Sequence, residues 1–276
     1  MQHLSLPVLA MNNHKPITPT LLITGASSGI GKATAALFAE RGYQVFDLSR
    51  RGTIPCDVTN EESVKSAVAE VMRRTDHIDV LILNAGFGIS GPAECTPIAD
   101  VRRQMEVNFT GAVAVVQHLL PHMRQRRQGR IIFTSSVAAI LPIPYQSFYS
   151  ASKAAINAFA LALQNEVRNY GICVSVLMPG DVKTGFTAAR KKVNTSTRNA
   201  QLSASYPHAE QAVAAMERDE QHGLTPQAMA RCLYRIATAR HPRPQYIGGA
   251  EYHLFAFLHW LLPQRLVNYI VGRLYS

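Results

Sequence analysis

Leu21-Leu22-Ile23-Thr24-Gly25-Ala26-Ser27-Ser28-Gly29-Ile30-Gly31 is the stretch on which the fold turns. Its three leading apolar residues read as a short strand buried on both faces, and a helical pattern follows the last glycine through Glu40 to a stop at Gly42. Strand, glycine-rich turn and helix form the context that a dinucleotide site requires. Glycine lets the backbone turn tightly and approach a pyrophosphate, while a helix N-terminus offers free N–H groups and a partial positive charge. The spacing is G-x-x-x-G-x-G, not the commoner G-x-G-x-x-G, so the turn takes its meaning from the strand and helix around it.

Working outward, the same alternation repeats. Gln44 to Leu48 reads as a second strand ending in Ser49-Arg50-Arg51. At that position a carboxylate would bind a free ribose 2′-OH and an arginine would accommodate a 2′-phosphate. Asp47 could be that carboxylate if the register slid; with Ser49 and Arg50 at the reading position, NADP(H) is favoured over NAD(H). Ile54 to Cys56 gives a third strand with Asp57 and Val58 on the adenine side, and residues 60 to 74 form an amphipathic helix. Val80 to Leu83 is a fourth strand running into Asn84-Ala85-Gly86, whose small residues either let a loop lie against a flat ring or serve only the turn. The spacing predicts one long helix over 101 to 123, containing Asn108 among apolar neighbours. An unpaired buried amide costs about 1 to 3 kcal/mol, so Asn108 is either a local bend or a relay. Gly129 to Thr134, Ile172 to Met178 and Gln245 to Gly248 complete seven strands. Continuous apolar strands alternating with helices predict an α/β, doubly wound, Rossmann-like single domain: a mainly parallel seven-stranded sheet covered on both faces. The candidate residues fall at or beyond the carboxyl ends of strands, where such sheets bind ligands.

The chemistry centres on Tyr149 and Lys153, four apart and so on one helix face, with Ser136 supplied by the strand ending at Thr134. A phenol beside an ammonium is a tunable proton source: an unperturbed tyrosine titrates near ~10, and an adjacent cation is expected to lower that value. Ser136 can offer a second hydrogen bond to the same substrate oxygen. Tyr and Lys at this spacing are also common on solvated helix faces, and the surrounding motifs give the pair its weight.

At 276 residues the chain can bury one sizeable core and is short for two independent domains. Its 47% hydrophobic and 17% charged residues exclude bulk disorder. Cys56, Cys95, Cys173 and Cys232 lie far apart with no metal spacing, so no metal site is expected and the thiols read as reduced, in a cytoplasmic protein. The net charge of +10 would suit nucleic acid, an anionic membrane surface or a phosphate-bearing ligand. No aromatics interleave with the basic clusters around Arg124 to Arg130 and Arg190 to Lys192, so a solvated face is preferred there and no nucleic-acid partner is expected. Residues 1 to 19 read as a loose extension before the domain of 20 to 276; their apolar patch lacks preceding basic residues and is too short for a signal peptide.

Together these motifs resemble the short-chain dehydrogenase/reductase family, in its ordinary-length branch. The resemblance covers roughly Leu21 to Gly249 and rests on T-G-x-x-x-G-x-G at Thr24 to Gly31, N-A-G at Asn84 to Gly86, Asn108, Ser136, Y-x-x-x-K at Tyr149 and Lys153, and P-G with a following threonine at Pro179, Gly180 and Thr184. The second half is similar to 17β-hydroxysteroid and retinol dehydrogenase-like members. The resemblance implies that Tyr149 is general acid in reduction and base in oxidation, that Lys153 lowers its pKa and holds the nicotinamide ribose, that Ser136 polarises the carbonyl, and that Asn108 supports a water chain. It implies cofactor contacts at Gly25, Ser27, Ser28, Gly29, Ile30 and Gly31, at Ser49, Arg50, Asp57 and Val58, at Asn84, Ala85 and Gly86, at Tyr149 and Lys153, and at Pro179, Gly180, Val182 and Thr184. One departure stands out: members usually carry a second Asn before N-A-G, and this chain has Leu83.

The implied activity is interconversion of a ketone or aldehyde with an alcohol on a small hydrophobic substrate such as a steroid, retinoid, fatty or aromatic carbonyl. A non-catalytic cofactor-binding regulator of the same fold is the alternative. Self-association as a homodimer or homotetramer through residues 101 to 123 and 149 to 170 is also implied. Residues 185 to 224, polar and without strand pattern, are expected to form a substrate lid. The tail of 251 to 275 is dense in large apolar groups but broken by Pro263, too short to span a bilayer. Packing within the protein is its default expectation, with a subunit contact or a membrane surface as the other uses.

Overall fold

The computed structural model describes residues 18–193 and 205–275. Seven strands form one sheet: β1 (Thr20–Thr24), β2 (Gln44–Ser49), β3 (Ile54–Pro55), β4 (Val80–Leu83), β6 (Gly129–Thr134), β7 (Ile172–Pro179) and β9 (Gln245–Gly248). They lie in the order β3-β2-β1-β4-β6-β7-β9 and every neighbouring pair is parallel. The order reverses direction beside β1, so the crevice between the ends of β1 and β4 is where a doubly wound sheet takes a ligand.

Alternation along each strand divides the core into two layers. Leu22, Leu81, Ile131 and Val176 point to one face with residues of α2 (Glu61–Arg74), α4 (Gly111–Arg126) and α5 (Ser147–Val167). Leu21, Ile23, Ile82, Ile132 and Leu177 point to the other, toward α1 (Gly29–Glu40) and α8 (Pro226–Thr238). Thr225 caps α8 by accepting from Ala228 N, with Pro226 in the first turn. These layers hold the strand ends rigid, and the functional residues stand on those ends.

Two expectations need correction. The single helix over 101 to 123 is instead α3 (Ile98–Met105), a π-helical turn over Glu106–Thr110, and then α4. The widened turn turns Asn108 inward to bond the backbone of Phe87, which an unbroken helix would not need to do. The lid region does contain a strand: after α6 (Phe186–Ala189), β8 (Lys191–Lys192) pairs in parallel with β5 (Ile89–Ser90), and α7 (Ala209–His222) follows. Residues 1 to 17 of the expected extension and 194 to 204 of the expected lid lie outside the described residues.

The tail forms α9 (Ala250–Leu261) and α10 (Gln264–Leu274), broken at Pro263. Its default expectation also fails. Tyr252 packs on the main core, Val267 is buried and Tyr275 meets the small cluster of Ala212, Val213 and Met216, yet most of the tail's large apolar side chains face outward. Among the described residues no helix is long and apolar enough to cross a membrane.

Candidate active site

The glycine turn is built so that only glycine fits. Gly25 and Gly29 have φ of +70° and +53°. A Cβ on Gly25 would sit 2.8 Å from Ala85 Cα, and one on Gly31 would sit 2.3 Å from the Gly25 carbonyl oxygen. The turn is tied to the N-A-G loop by Asn84, which donates to Gly25 O at 3.1 Å, while Thr24 Oγ1 accepts from Asn84 N and Ala85 N at 3.0 and 3.1 Å. Ser28 precedes α1 with extended backbone and makes no side-chain cap bond, so the first N–H groups of that helix point into the cleft unclaimed by it. A turn stripped of Cβ atoms at a free helix N-terminus fits a pyrophosphate, and the structure thus accommodates a dinucleotide.

Asp47 is bonded to the glycine turn. It accepts from Ala26 N at 3.2 Å and from Ser49 Oγ at 3.0 Å, bracing the turn from below. Ser49, Arg50 and Arg51 line the cleft at this end. Asp57 lies beside them; bonds from Thr59 N and Oγ1 hold its carboxyl below the usual range, with Arg50 and Arg103 adding to the effect. Leu83, where the family resemblance implies Asn, is 3% exposed in the core and pairs with Phe133, so this position is spent on packing.

At the other end Tyr149, Lys153 and Ser136 converge. Lys153 Nζ lies 5.8 Å from the Tyr149 ring centroid and donates to Thr134 O at 2.9 Å. Ser135 Oγ donates to Lys153 O at 3.1 Å, fixing the start of α5 against β6. The sequence predicts a phenol lowered by the neighbouring cation, and here the structure reverses the sign. Burial pushes Tyr149 up to about 12, opposed by the Ser136 hydrogen bond and by Arg190. The same enclosure brings Lys153 down to about 8. Removing a charge from water costs more here than an ammonium almost 6 Å from the ring recovers.

Asn108 is fully buried and stands just behind the cleft wall. Its Oδ1 accepts from Phe87 N, and its Nδ2 donates to Phe87 O and to Ser152 Oγ, each at 3.0 Å. Both amide hydrogens are thereby committed to scaffold. A Cβ on Gly86 would come 3.3 Å from Asn108 Oδ1 and 3.4 Å from Lys153 Nζ, so Gly86 leaves the space in which these groups meet.

All the predicted site residues except Gly31 and Asn108 line one cleft of about 590 Å³. Sequence reasoning missed several others. Arg51 and Arg103 join Arg50 at the adenosine end. Phe186 rests against Tyr149 with centroids 5.6 Å apart, Arg190 stacks over Phe186 at 5.5 Å, and Glu220 pairs with Arg190 and accepts from Thr187 Oγ1 at 2.5 Å. Phe186 of α6 thus rests on Tyr149, and Glu220 of α7 holds Arg190 behind it. Asp181 accepts from Tyr252 Oη at 2.5 Å; burial raises its pKa, that bond lowers it, and Glu220, Asp219 and Glu251 raise it further. The Tyr252 ring lies so close to Gly180 that a Cβ there would be 2.0 Å away, which accounts for the glycine after Pro179. Apart from Arg190 over Phe186, four residues apart, these contacts join residues distant along the chain and so have no local sequence signal.

Among known proteins, residues 19–195 match the family model described as short chain dehydrogenase. The chain is 36% identical over 265 residues to a 3-ketodihydrosphingosine reductase of Bacteroides thetaiotaomicron, covering 93% of this chain and 97% of that one. It is 29% identical to an NADPH-dependent 3-dehydrocapnine reductase of Ornithobacterium rhinotracheale, over 90% of this chain and 94% of the other. The solved structure of a short-chain dehydrogenase from Streptomyces avermitilis superposes with a TM-score of 0.77 at 27% identity, covering 88% of this chain and 92% of that one.

Proposed function

The chain belongs to the short-chain dehydrogenase/reductase family, hydride-transferring oxidoreductases that bind NAD(P), and from that membership we propose that it is an NADPH-preferring reductase of a ketone on a sphingoid-type lipid. The observation that carries the reading is the meeting of Tyr149, Ser136 and Lys153 at the end of a cleft that begins in the glycine turn.

The nicotinamide, when bound, supplies the hydride. The chain's own groups handle the proton and the oxygen. Tyr149, pushed up to about 12, is a protonated donor at neutral pH and gives its proton to the carbonyl oxygen as general acid. Ser136, already hydrogen-bonded to that hydroxyl, stabilises the same oxygen as charge develops. Lys153 spends one of its three donors on Thr134 O and offers the others to the ribose. Phe186 and the Arg190–Glu220 pair exclude water above the phenol. Gly25, Ser27, Ser28, Gly29 and Ile30, with Gly31 behind them, would hold the pyrophosphate; Thr184, facing Gly29, and Pro179, Gly180 and Val182 would border the nicotinamide.

NADPH preference is supported by Arg50, Arg51 and Arg103 gathered where a 2′-phosphate would sit, with Asp47 withdrawn beneath the turn. The lipid reading is supported by likeness along nearly the whole chain to the reductase from Bacteroides thetaiotaomicron. The test follows loss of nicotinamide absorbance with NADPH and NADH at matched concentrations on 3-ketodihydrosphingosine, a steroid ketone and a short aliphatic ketone. Turnover is expected to be fastest with NADPH and the sphingoid ketone. Faster turnover with NADH would refute the assignment of Arg50, and equal turnover of the three ketones would refute the substrate class.

A further inference from the structure

Of the twelve large hydrophobic side chains that stand exposed among the described residues, nine fall between residues 254 and 274. Scattered apolar residues on a surface need no account, but such a concentration marks something to be covered. We propose that α9 and α10 lie in the plane of a lipid bilayer surface bearing anionic headgroups, docking the mouth of the catalytic cleft against it.

The shape of the exposure favours a lipid over a second copy of the chain. At 100° per residue, Leu254, Phe257, Trp260 and Leu261 span about a third of the circumference of α9, and Phe255 widens the arc, leaving roughly the Tyr252–Ala256 line to face the protein. An outward apolar arc this broad, interrupted by His253 and Glu251, suits a fluid apolar medium more than the narrow stripe by which a helix seats on a protein partner. With 12 and 11 residues, α9 and α10 are too short to span and so must lie flat. Trp260 and Tyr269, 78% and 63% exposed, are the amphipathic rings that settle at headgroup level. The charge is complementary: Arg265 and Arg273 are exposed on α10, Glu251 is the only acidic side chain of the tail, and the whole chain carries +10. The self-association expected from the family resemblance uses residues 101 to 123 and 149 to 170, leaving the tail outside it.

The placement also serves the cleft. Tyr252, in the first turn of α9, lies on Gly180 and donates to Asp181, both of which line the cavity. A surface held against α9 is thereby at the edge of the catalytic opening. The docking needs no turnover, so its test stands apart from the reaction assigned above.

Trp260 is the only tryptophan, and its emission reports the tail directly. The full chain is mixed with phosphatidylcholine vesicles with and without phosphatidylglycerol, and flotation is measured together with tryptophan emission. Co-flotation and a blue shift are expected, stronger with phosphatidylglycerol and weakened by salt. A Phe257→Glu/Leu261→Glu double variant should partition about a hundredfold more weakly while keeping its melting temperature and its turnover of a water-soluble ketone. Absence of flotation by the wild type overturns the proposal, as does undiminished flotation of the double variant. A wild-type oligomer that the double variant dissociates, without vesicle binding by either, would overturn it and assign the face to a second copy.

Discussion

Asn108→Ala separates scaffold from relay at a polar side chain that the core fully encloses beside the cleft. The native amide makes three hydrogen bonds at 3.0 Å, to Phe87 N, Phe87 O and Ser152 Oγ. At about 1 kcal/mol net for each, their loss amounts to about 3 kcal/mol. Phe87 O keeps its bond from Gln104 Nε2, so the new orphan is the Phe87 N–H, and the estimate stays near that figure. A kilocalorie shifts the melting temperature of a chain of this size by about 2 to 4 °C, so the variant should melt about 6 to 12 °C lower. Because Phe87 follows Gly86, whose Cα faces Lys153 Nζ, the loosened loop should also weaken NADPH binding. Differential scanning fluorimetry with and without NADPH reads both effects. A variant that melts within 2 °C of the wild type but loses turnover would refute the scaffold argument and return Asn108 to a purely catalytic part.

Two further outcomes follow from the catalytic pair. Tyr149→Phe keeps the ring against Phe186 and loses only the proton donor, so steady-state assays should find kcat down by about 10²- to 10⁴-fold with the melting temperature kept; turnover at the wild-type rate would remove Tyr149 from the chemistry. Lys153→Met concerns the burial of charge: with Lys153 at about 8 in the folded enzyme against a usual 10.5, the unfolded chain holds a proton in that window that the folded chain has released, so stability rises with pH there and the variant lacks that rise. Denaturant unfolding without cofactor at pH 7.5 and 10 checks it, and equal pH dependence of the two proteins would show that the amine is not buried as described.

What could be read from the chain was what neighbours in sequence decide. Leu21 to Ile23, Val80 to Leu83 and Ile131 to Phe133 announce buried parallel strands because each is apolar on both faces, and the glycine turn announces a phosphate site because its conformation is local. What could not be read depended on partners far away. Tyr252 lies 71 residues beyond Asp181, and nothing around either residue foretells that they meet. Arg103 reaches the Asp57 end of the cleft only because α3 is carried there by the sheet. The π turn carries Asn108 to Phe87, 21 residues earlier, a long-range bond that no local pattern foretells. Asp47 was ambiguous in sequence because whether it stands at the ribose-reading position depends on register, and its bond from Ala26 N joins residues 21 apart.

The reversed shift of Tyr149 belongs to the same class. A Tyr and a Lys four apart specify proximity, but the sign of the pKa change depends on how much water is left around them, which Phe186, Arg190 and Glu220 determine from forty to seventy residues away. Their enclosure penalises a phenolate and an ammonium together, so it keeps the phenol in its proton-donating form while making the amine easier to discharge. With the phenol pushed up to about 12, Tyr149 holds its proton at neutral pH and can donate it to an oxygen bound beside Ser136.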